Sequence, residues 1–311
     1  MSDPFNRDTN VEYGVPVHLT PQVRRLTVRN PSPMTFTGTQ TYIVGEGQVA
    51  VIDPGPMMAA QTEAILAALA PGETIGAILL THTHVDHSPG ATALKAATGA
   101  PTYAFGPHGA GESPMMAALG ASGAEFGGGE GADHDFIPDE VLPDNSVVEV
   151  GGATITALHT PGHLSNHLCY ALDDGTVFSG DLVMGWATTM VSPPDGDMAA
   201  FMGSLARMGA RGDRIYLPGH GHAVTDPQAM IAHQTAHRLG RETQIIEALE
   251  AMGEATPAAL TAAIYIDVDP ALHGAAARNV FAHLLGLIST GRAEADGQIT
   301  PSARFRVLSH S

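Results

Sequence analysis

Cysteine is almost absent: Cys169 is the only one, so no intramolecular disulfide can form and burial and hydrogen bonding must hold the fold. Lysine is equally scarce, with Lys95 the sole example. Fourteen basic residues face 32 acidic ones, a formal net charge of −18. Such a field repels polyanions at long range. It counts against general nucleic-acid binding, which rests on Lys and Arg neutralising phosphates. No run reaches the ~18 successive apolar residues of a membrane span. The first residues, MSDPFNRDTNVEYG, lack the basic and apolar segments of an export signal. With the lone cysteine, these absences lead to the expectation of a cytoplasmic protein without a membrane segment. No internal repeat is present.

What is there is a turn-rich globular composition. Apolar residues make up 44% of the 311 positions, with 36 Gly and 22 Pro, which excludes a disordered chain and suits one large α/β domain with a small companion. Short apolar runs alternate with helix-like stretches as far as about residue 230. QVAVID, AILLTH, VVEV, ATITAL, TVFSGD and RIYLPG read as strands, each ending at a turn signal, and Ala59–Leu69 and Ala199–Met208 have helical spacing. Beyond that point the pattern is mostly helical. Met230–Ala251 is amphipathic, Thr256-Pro257 and Asp269-Pro270 each set a capping residue before a proline, and Val280, Leu284, Leu287 and Ile288 form a core-facing stripe. Ala293–Ile299 and Phe305–Leu308 read as a two-stranded wing. The expected division is therefore 1–230 and 231–311. One segment, from about Gly106 to Asp144, is biased: Gly123–Asp144 holds seven acids and no base. It reads as a solvated loop, with a flap over a pocket as the functional alternative.

The chemistry is concentrated in THTHVDH, residues Thr81–His87, directly after Ile78-Leu79-Leu80. A buried strand here delivers His82, His84, Asp86 and His87 to one loop. Imidazoles and a carboxylate that close together suit a metal far better than a core, zinc first, with manganese or iron as alternatives. Three later segments repeat the sequence of strand, turn and donor: ATITALHTPGH ends at His163, TVFSGD at Asp181 and RIYLPGHGH at His220. Together they supply seven donors, enough for two ions and an open position for water. Two cations sharing a water would bring its pKa from about 15.7 toward about 7, and the hydroxide would attack a carbonyl or phosphoryl centre. Asp86 is placed both to ligate and to accept a proton from that water, which makes it the candidate catalytic residue.

The series HxHxDH, TPGH, SGD and PGHG, with VIDPG at Val51–Gly55, resembles the metallo-β-lactamase superfamily over essentially the whole chain. The tail from His233 is similar to the winged-helix-like domain of the lactamase-beta-like protein 2 subgroup. The resemblance implies an αββα sandwich, an α/β fold with the metals at one edge, and a small, mostly helical winged-helix-like domain at the carboxy terminus. It implies two Zn2+ per chain: one held by His82, His84 and His163, the second by Asp86, His87 and His220, with Asp181 bridging and Asp53 supporting the ligand loop. His220 takes the motif position, with His222 as the neighbouring candidate. His167 is left either to orient a ligand or contact substrate, or to be an ordinary satisfied histidine. Trp186 either walls the pocket or packs in the core.

The expected function is dinuclear metal-dependent hydrolysis of a small ester, thioester or lactone-type metabolite. The alternative is a metal-dependent endoribonuclease, with β-lactam hydrolysis and a non-catalytic binding module behind it. The tail weighs against DNA, since its eight acids outnumber its six arginines from residue 231 on, whereas a groove-reading wing is normally basic. RNA is disfavoured by the same charge. The expected partner is a small-molecule substrate, with a homodimer as a possible use of the tail.

Overall fold

The apolar runs read as strands form the middle of two facing sheets. The computed structural model describes residues 4–127, 131–266, 269 and 273–308. The first sheet runs in chain order: β1 (Val17–Thr20), β2 (Val23–Thr27), β3 (Gln40–Val44), β4 (Gln48–Ile52), β5 (Thr74–Leu79), β6 (Thr102–Ala104) and β7 (Glu140–Val141). The second contains β8 (Val147–Val150), β9 (Ala153–His159), β10 (Leu168–Leu172), β11 (Thr176–Gly180) and β12 (Ile215–Pro218), arranged β12-β11-β10-β9-β8. The parallel steps β4 to β5, β5 to β6 and β11 to β12 require crossovers. These contain α1 (Ala59–Ala67), α2 (Gly90–Thr98) and α4 (Met198–Gly209).

Alternation along β4 explains why its sequence is apolar throughout. Ala50 and Ile52 face the second sheet, meeting Ile155, Tyr170 and Phe178. Val49 and Val51 face the other way, with Ile65 and Leu94 of the outer helices. A strand covered on both faces reads as a continuous apolar run. On the outer face of the second sheet, Cys169, Val177 and Tyr216 pack on Phe201, Leu205 and Met208 of α4. The result is the expected αββα layering.

The carboxy-terminal part has its own core. It comprises α5 (Pro227–Met252), α6 (Pro257–Ile264), α7 (His273–Ser289) and a wing of β13 (Ala293–Ala295) with β14 (Phe305–Val307), and Ile245, Leu249, Leu260, Leu284 and Phe305 fill it. Helix α5 begins three residues before the Met230 start read from periodicity. Asp226 accepts from the Ala229 amide and Pro227 takes the first position, so the cap rather than the apolar stripe sets the end. Thr256 caps α6 in the same manner. Pro270 lies outside the described residues, and α7 is seen from His273. The wing strands are shorter than the spacing suggested.

The biased segment from about Gly106 to Asp144 differs from a plain loop. It includes α3 (Pro114–Gly120), whose Met116 and Leu119 are buried in the carboxy-terminal core. Asp139 accepts from the amide and hydroxyl of Thr102, both at 2.9 Å, and pairs with Lys95. Glu130 of this segment lies outside the described residues. No helix among the described residues is long and apolar enough to cross a membrane.

Candidate metal centre and its pocket

Strand ends of both sheets meet at one edge, and the donors leave from there. Ile52 of β4 is paired with Leu79 of β5, and Gly180 of β11 with Pro218 of β12. The Tyr42 hydroxyl donates to the Pro218 carbonyl, the Tyr170 hydroxyl to the Leu80 carbonyl, and the Leu168 amide to the Thr81 carbonyl, each at 2.7 Å. These bonds lock the two sheets together where the ligand loops begin.

Asp53, just past β4, organises the loop after β5. It adopts a positive φ of 49°, accepts from the Thr81 amide at 2.7 Å and the Thr81 hydroxyl at 2.6 Å, and lies 2.9 Å from Nδ1 of His87. A carboxylate only accepts, so His87 carries its proton on Nδ1 and keeps Nε2 free. Thr81 has spent its one hydroxyl proton on Asp53, so at 2.9 Å it accepts from Nδ1 of His82, which leaves that Nε2 free as well. One carboxylate therefore fixes two tautomers, the arrangement that orients histidine ligands. Backbone carbonyls do the same elsewhere: Nδ1 of His163 meets Met190 O at 2.8 Å, and Nδ1 of His220 meets Gly38 O at 3.3 Å.

The acid-rich segment braces the same loop from outside. The Val85 amide donates to Gly131 O and the Asp133 amide to Thr83 O, both at 2.8 Å, while the Ser88 hydroxyl donates to Asp133 at 2.6 Å.

The inward atoms converge. Nδ1 of His84 lies 2.9 Å from Nε2 of His82 and 3.0 Å from Nε2 of His163. Nε2 of His220 lies 3.2 Å from Asp86 and 3.3 Å from Asp181, and Nε2 of His87 lies 3.4 Å from Asp86 and 3.7 Å from Asp181. Candidate ligand atoms of His82, His84 and His163, of His82, His87 and Asp181, and of Asp86, His87 and His220 each fall within 4.8 Å of one another. All seven sequence candidates are thus in one cluster. His222 is not: its Nε2 meets the Asp8 carbonyl at 2.9 Å.

This donor set suits metal ions. Nδ1 of His84 has at most one proton to share between the lone pairs on Nε2 of His82 and of His163, so a cation satisfies the three nitrogens better than they satisfy one another, and Oδ1 of Asp181 is buried with no hydrogen-bond partner among the described residues. Burial pushes His82 well below the ordinary histidine value and His84 to about 3, so both are neutral imidazoles. Burial also opposes charge on His87 and His220, yet Asp86 and Asp181 overcome it, raising His87 well above the usual range and His220 to about 9. The two carboxylates thus demand positive countercharge, which dications supply while leaving both rings free to ligate.

Space at the centre is reserved. A Cβ on Gly219 would fall 2.3 Å from Oδ1 of Asp181 and 2.7 Å from Cε1 of His87, so any side chain there would occupy the position between the donors. The cluster opens into a cavity of about 270 Å³ lined by Met34, Leu164, Met190, Ser192, Asp195 and Arg278 besides the donors. A larger hollow of about 500 Å³ beside the wing has, among the described residues, only Glu250 and Arg292 as charged lining groups.

Sequence reasoning left three positions open or unseen. His167 is fully buried: its Nε2 accepts from the Asp181 amide at 3.1 Å and its Nδ1 meets the Thr160 hydroxyl at 2.9 Å. The spacing TPGHxxxH offered a hint of this. Trp186 stacks on Phe36 at 4.9 Å and is absent from the cavity lining. Arg278 reaches the cavity from α7, and no local motif announces it. Cys169 is buried, and burial pushes its thiol up to about 12, so it offers no nucleophile.

A two-sheet sandwich with a histidine–aspartate cluster at its edge defines a class of metal-dependent hydrolases, and comparison with known proteins agrees. The family described as "Metallo-beta-lactamase superfamily" matches residues 34–220, and the "Beta-lactamase associated winged helix domain" matches residues 256–303. The chain belongs to the metallo-beta-lactamase superfamily and is a metal-dependent hydrolase. It is 34% identical over 234 residues to an atrochrysone carboxyl ACP thioesterase of Aspergillus chevalieri, covering 74% of this chain and 67% of that protein. It is 32% identical over 291 residues to the beta-lactamase-like protein 2 homolog of Drosophila melanogaster, covering 88% and 90%. A beta-lactamase domain protein from Burkholderia ambifaria shares the fold, with a TM-score of 0.79 at 22% identity, covering 97% of this chain and 96% of that one.

Proposed function

We propose that the chain hydrolyses a small thioester or ester with two zinc ions, one held by His82, His84 and His163, the other by Asp86, His87 and His220, with Asp181 between them. The observation that carries this reading is the convergence of seven donor side chains in one cluster, five of which line a cavity of about 270 Å³, a space suited to a small acyl group. The similarity to a protein named as a thioesterase favours the thioester. Bound zinc in such a site acidifies a water and polarises a carbonyl.

The chain's own groups do the rest. Asp86 lines the cavity with its side chain 22% exposed, and the Thr39 hydroxyl donates to its Oδ2 at 3.1 Å. It is the group placed to take the proton released when water attacks. Leu164 and Met190 supply apolar wall to the cavity beside it. A cytoplasmic setting is part of the proposal, consistent with a single buried thiol.

The test is a substrate panel of thioesters, lactones, β-lactams, phosphodiesters and single-stranded RNA, run beside elemental analysis of the purified protein. Hydrolysis of a neutral thioester or lactone is expected, lost in Asp181→Ala and varying less than about threefold from low to moderate salt, since few charges are screened. Robust RNA cleavage at physiological salt, unmatched by any small ester, would replace this reading with an endoribonuclease.

A further inference from the structure

We infer that Arg278 binds an anionic group of the substrate, a carboxylate or a phosphate, so that the carboxy-terminal domain sets specificity at the metal pocket. This rests on the hydrolase reading above and narrows its substrate class.

Three observations carry it. First, Arg278 belongs to α7, outside the sandwich, yet it lines the same cavity as His84, Asp86, His163 and His220. Second, it lines a second cavity of about 190 Å³, whose walls include Phe126, Pro193, Ala258 and Phe281. The guanidinium thus stands where the space lined by the donors adjoins a second one walled by apolar side chains, as a substrate with a charged group between a reactive acyl carbon and a hydrocarbon part would require.

Third, Arg278 lacks the partner that its neighbours have. Arg238 donates to Asn279 and the Thr189 carbonyl, Arg241 lies over the Tyr265 ring, and Arg292, Arg304 and Arg306 each pair with a glutamate. Among the described residues no hydrogen bond or ion pair reaches the Arg278 guanidinium, and its Nε is buried without a partner. The chain holds 32 acids, so an unpaired arginine does not come from any shortage of them. Asp195, an acid of the same cavity, pairs instead with His108 at 3.3 Å. Nearby, Gly127 presents no side chain: a Cβ there would sit 3.8 Å from Nη1. A planar fork of N–H donors left open at a pocket suits bidentate capture of a carboxylate or phosphate. The cationic residue also offsets the charge of Asp195, the cavity acid that is not among the candidate metal donors.

The experiment uses the full-length, zinc-loaded protein and matched pairs. S-succinyl against S-butyryl N-acetylcysteamine places a carboxylate on the acyl side, and S-butyryl 4′-phosphopantetheine against S-butyryl pantetheine places a phosphate on the leaving side. The wild type should prefer the charged member of one pair, which identifies the source of the anion. Arg278→Ala should shrink that preference about tenfold or more, through KM rather than kcat, as expected when a charged hydrogen-bond partner is lost. Arg278→Lys should restore part of it, and melting temperature with metal content establishes that each variant is folded and loaded.

If Ala does not fold, Arg278→Gln carries the same comparison. Equal losses on both members of each pair, or no charge preference in the wild type, would overturn the assignment. If no thioester is turned over, the hydrolase reading falls separately, and calorimetric titration with succinate against butyrate and with 4′-phosphopantetheine against pantetheine still decides: tighter binding of the more highly charged member of either pair that the variant abolishes supports Arg278, and equal affinities within both pairs refute it.

Discussion

The Asp53 carboxylate lies 2.9 Å from Nδ1 of His87, both side chains being almost wholly buried. It also holds Thr81, so the orientation of His82 and His87 hangs on one acid. Asn tolerates the positive φ at position 53, so Asp53→Asn removes charge and acceptor capacity without straining the backbone. Metal affinity should fall about 10- to 100-fold, read by chelator competition. An unchanged affinity would mean that Asp53 serves the turn alone.

The two histidines of PGHGH should separate cleanly. Nε2 of His220 faces Asp86 and Asp181, whereas His222 is engaged with a backbone carbonyl near the amino terminus. Elemental analysis should give about two metals per chain in the wild type and in His222→Ala. His220→Ala should retain about one and lose nearly all turnover. The reverse pattern would shift the assignment by two residues.

His167 should matter without touching a metal. Its Nε2 takes up the buried amide of Asp181, and losing that acceptor costs about 1–3 kcal/mol. In His167→Ala, melting temperature and metal affinity should both fall, and His167→Gln should recover part of each if its carbonyl reaches the amide. A variant indistinguishable from wild type in chelator competition would leave His167 as packing only.

Acid should loosen the carboxy-terminal core through His283. It is 1% exposed, neither ring nitrogen has a partner, and burial holds it at about 3. The unfolded chain takes up this proton near pH 6.5, so the stability contribution is complete above about 6.5 and is lost as pH falls toward 3, at about 1.4 kcal/mol per pH unit. His237, held at about 4, acts in the same direction. His283→Leu should therefore raise the melting temperature more at pH 5 than at pH 7.5. Equal gains at both would assign the effect to packing.

Much of this was legible in the sequence because ligation demands particular side chains at strand ends. His82, His84, Asp86, His87, His163, Asp181 and His220 all follow apolar runs, and all meet in the fold. The strand pattern was equally plain where both faces are covered, as in β4. What could not be read depends on atoms without residue identity or on distant contacts. The carbonyls of Met190 and Gly38 orient two histidines, and any residue supplies a carbonyl. Helix α3 was hidden in a segment read as a solvated loop because its burial is decided by Met116 and Leu119 meeting a core more than a hundred residues away. Arg278 gave no signal because its meaning comes from where α7 sits, not from its neighbours in the chain.

Gly219 has a consequence for how this scaffold can change. The centre has no room for even a methyl group beside Asp181 and His87, so variation at that position is closed off. The cavity wall is different: Met34, Ser192 and Arg278 come from separate loops and from a separate core. Selection for a new substrate in the laboratory should therefore collect its substitutions on that wall, while the inner glycine and its histidines stay fixed.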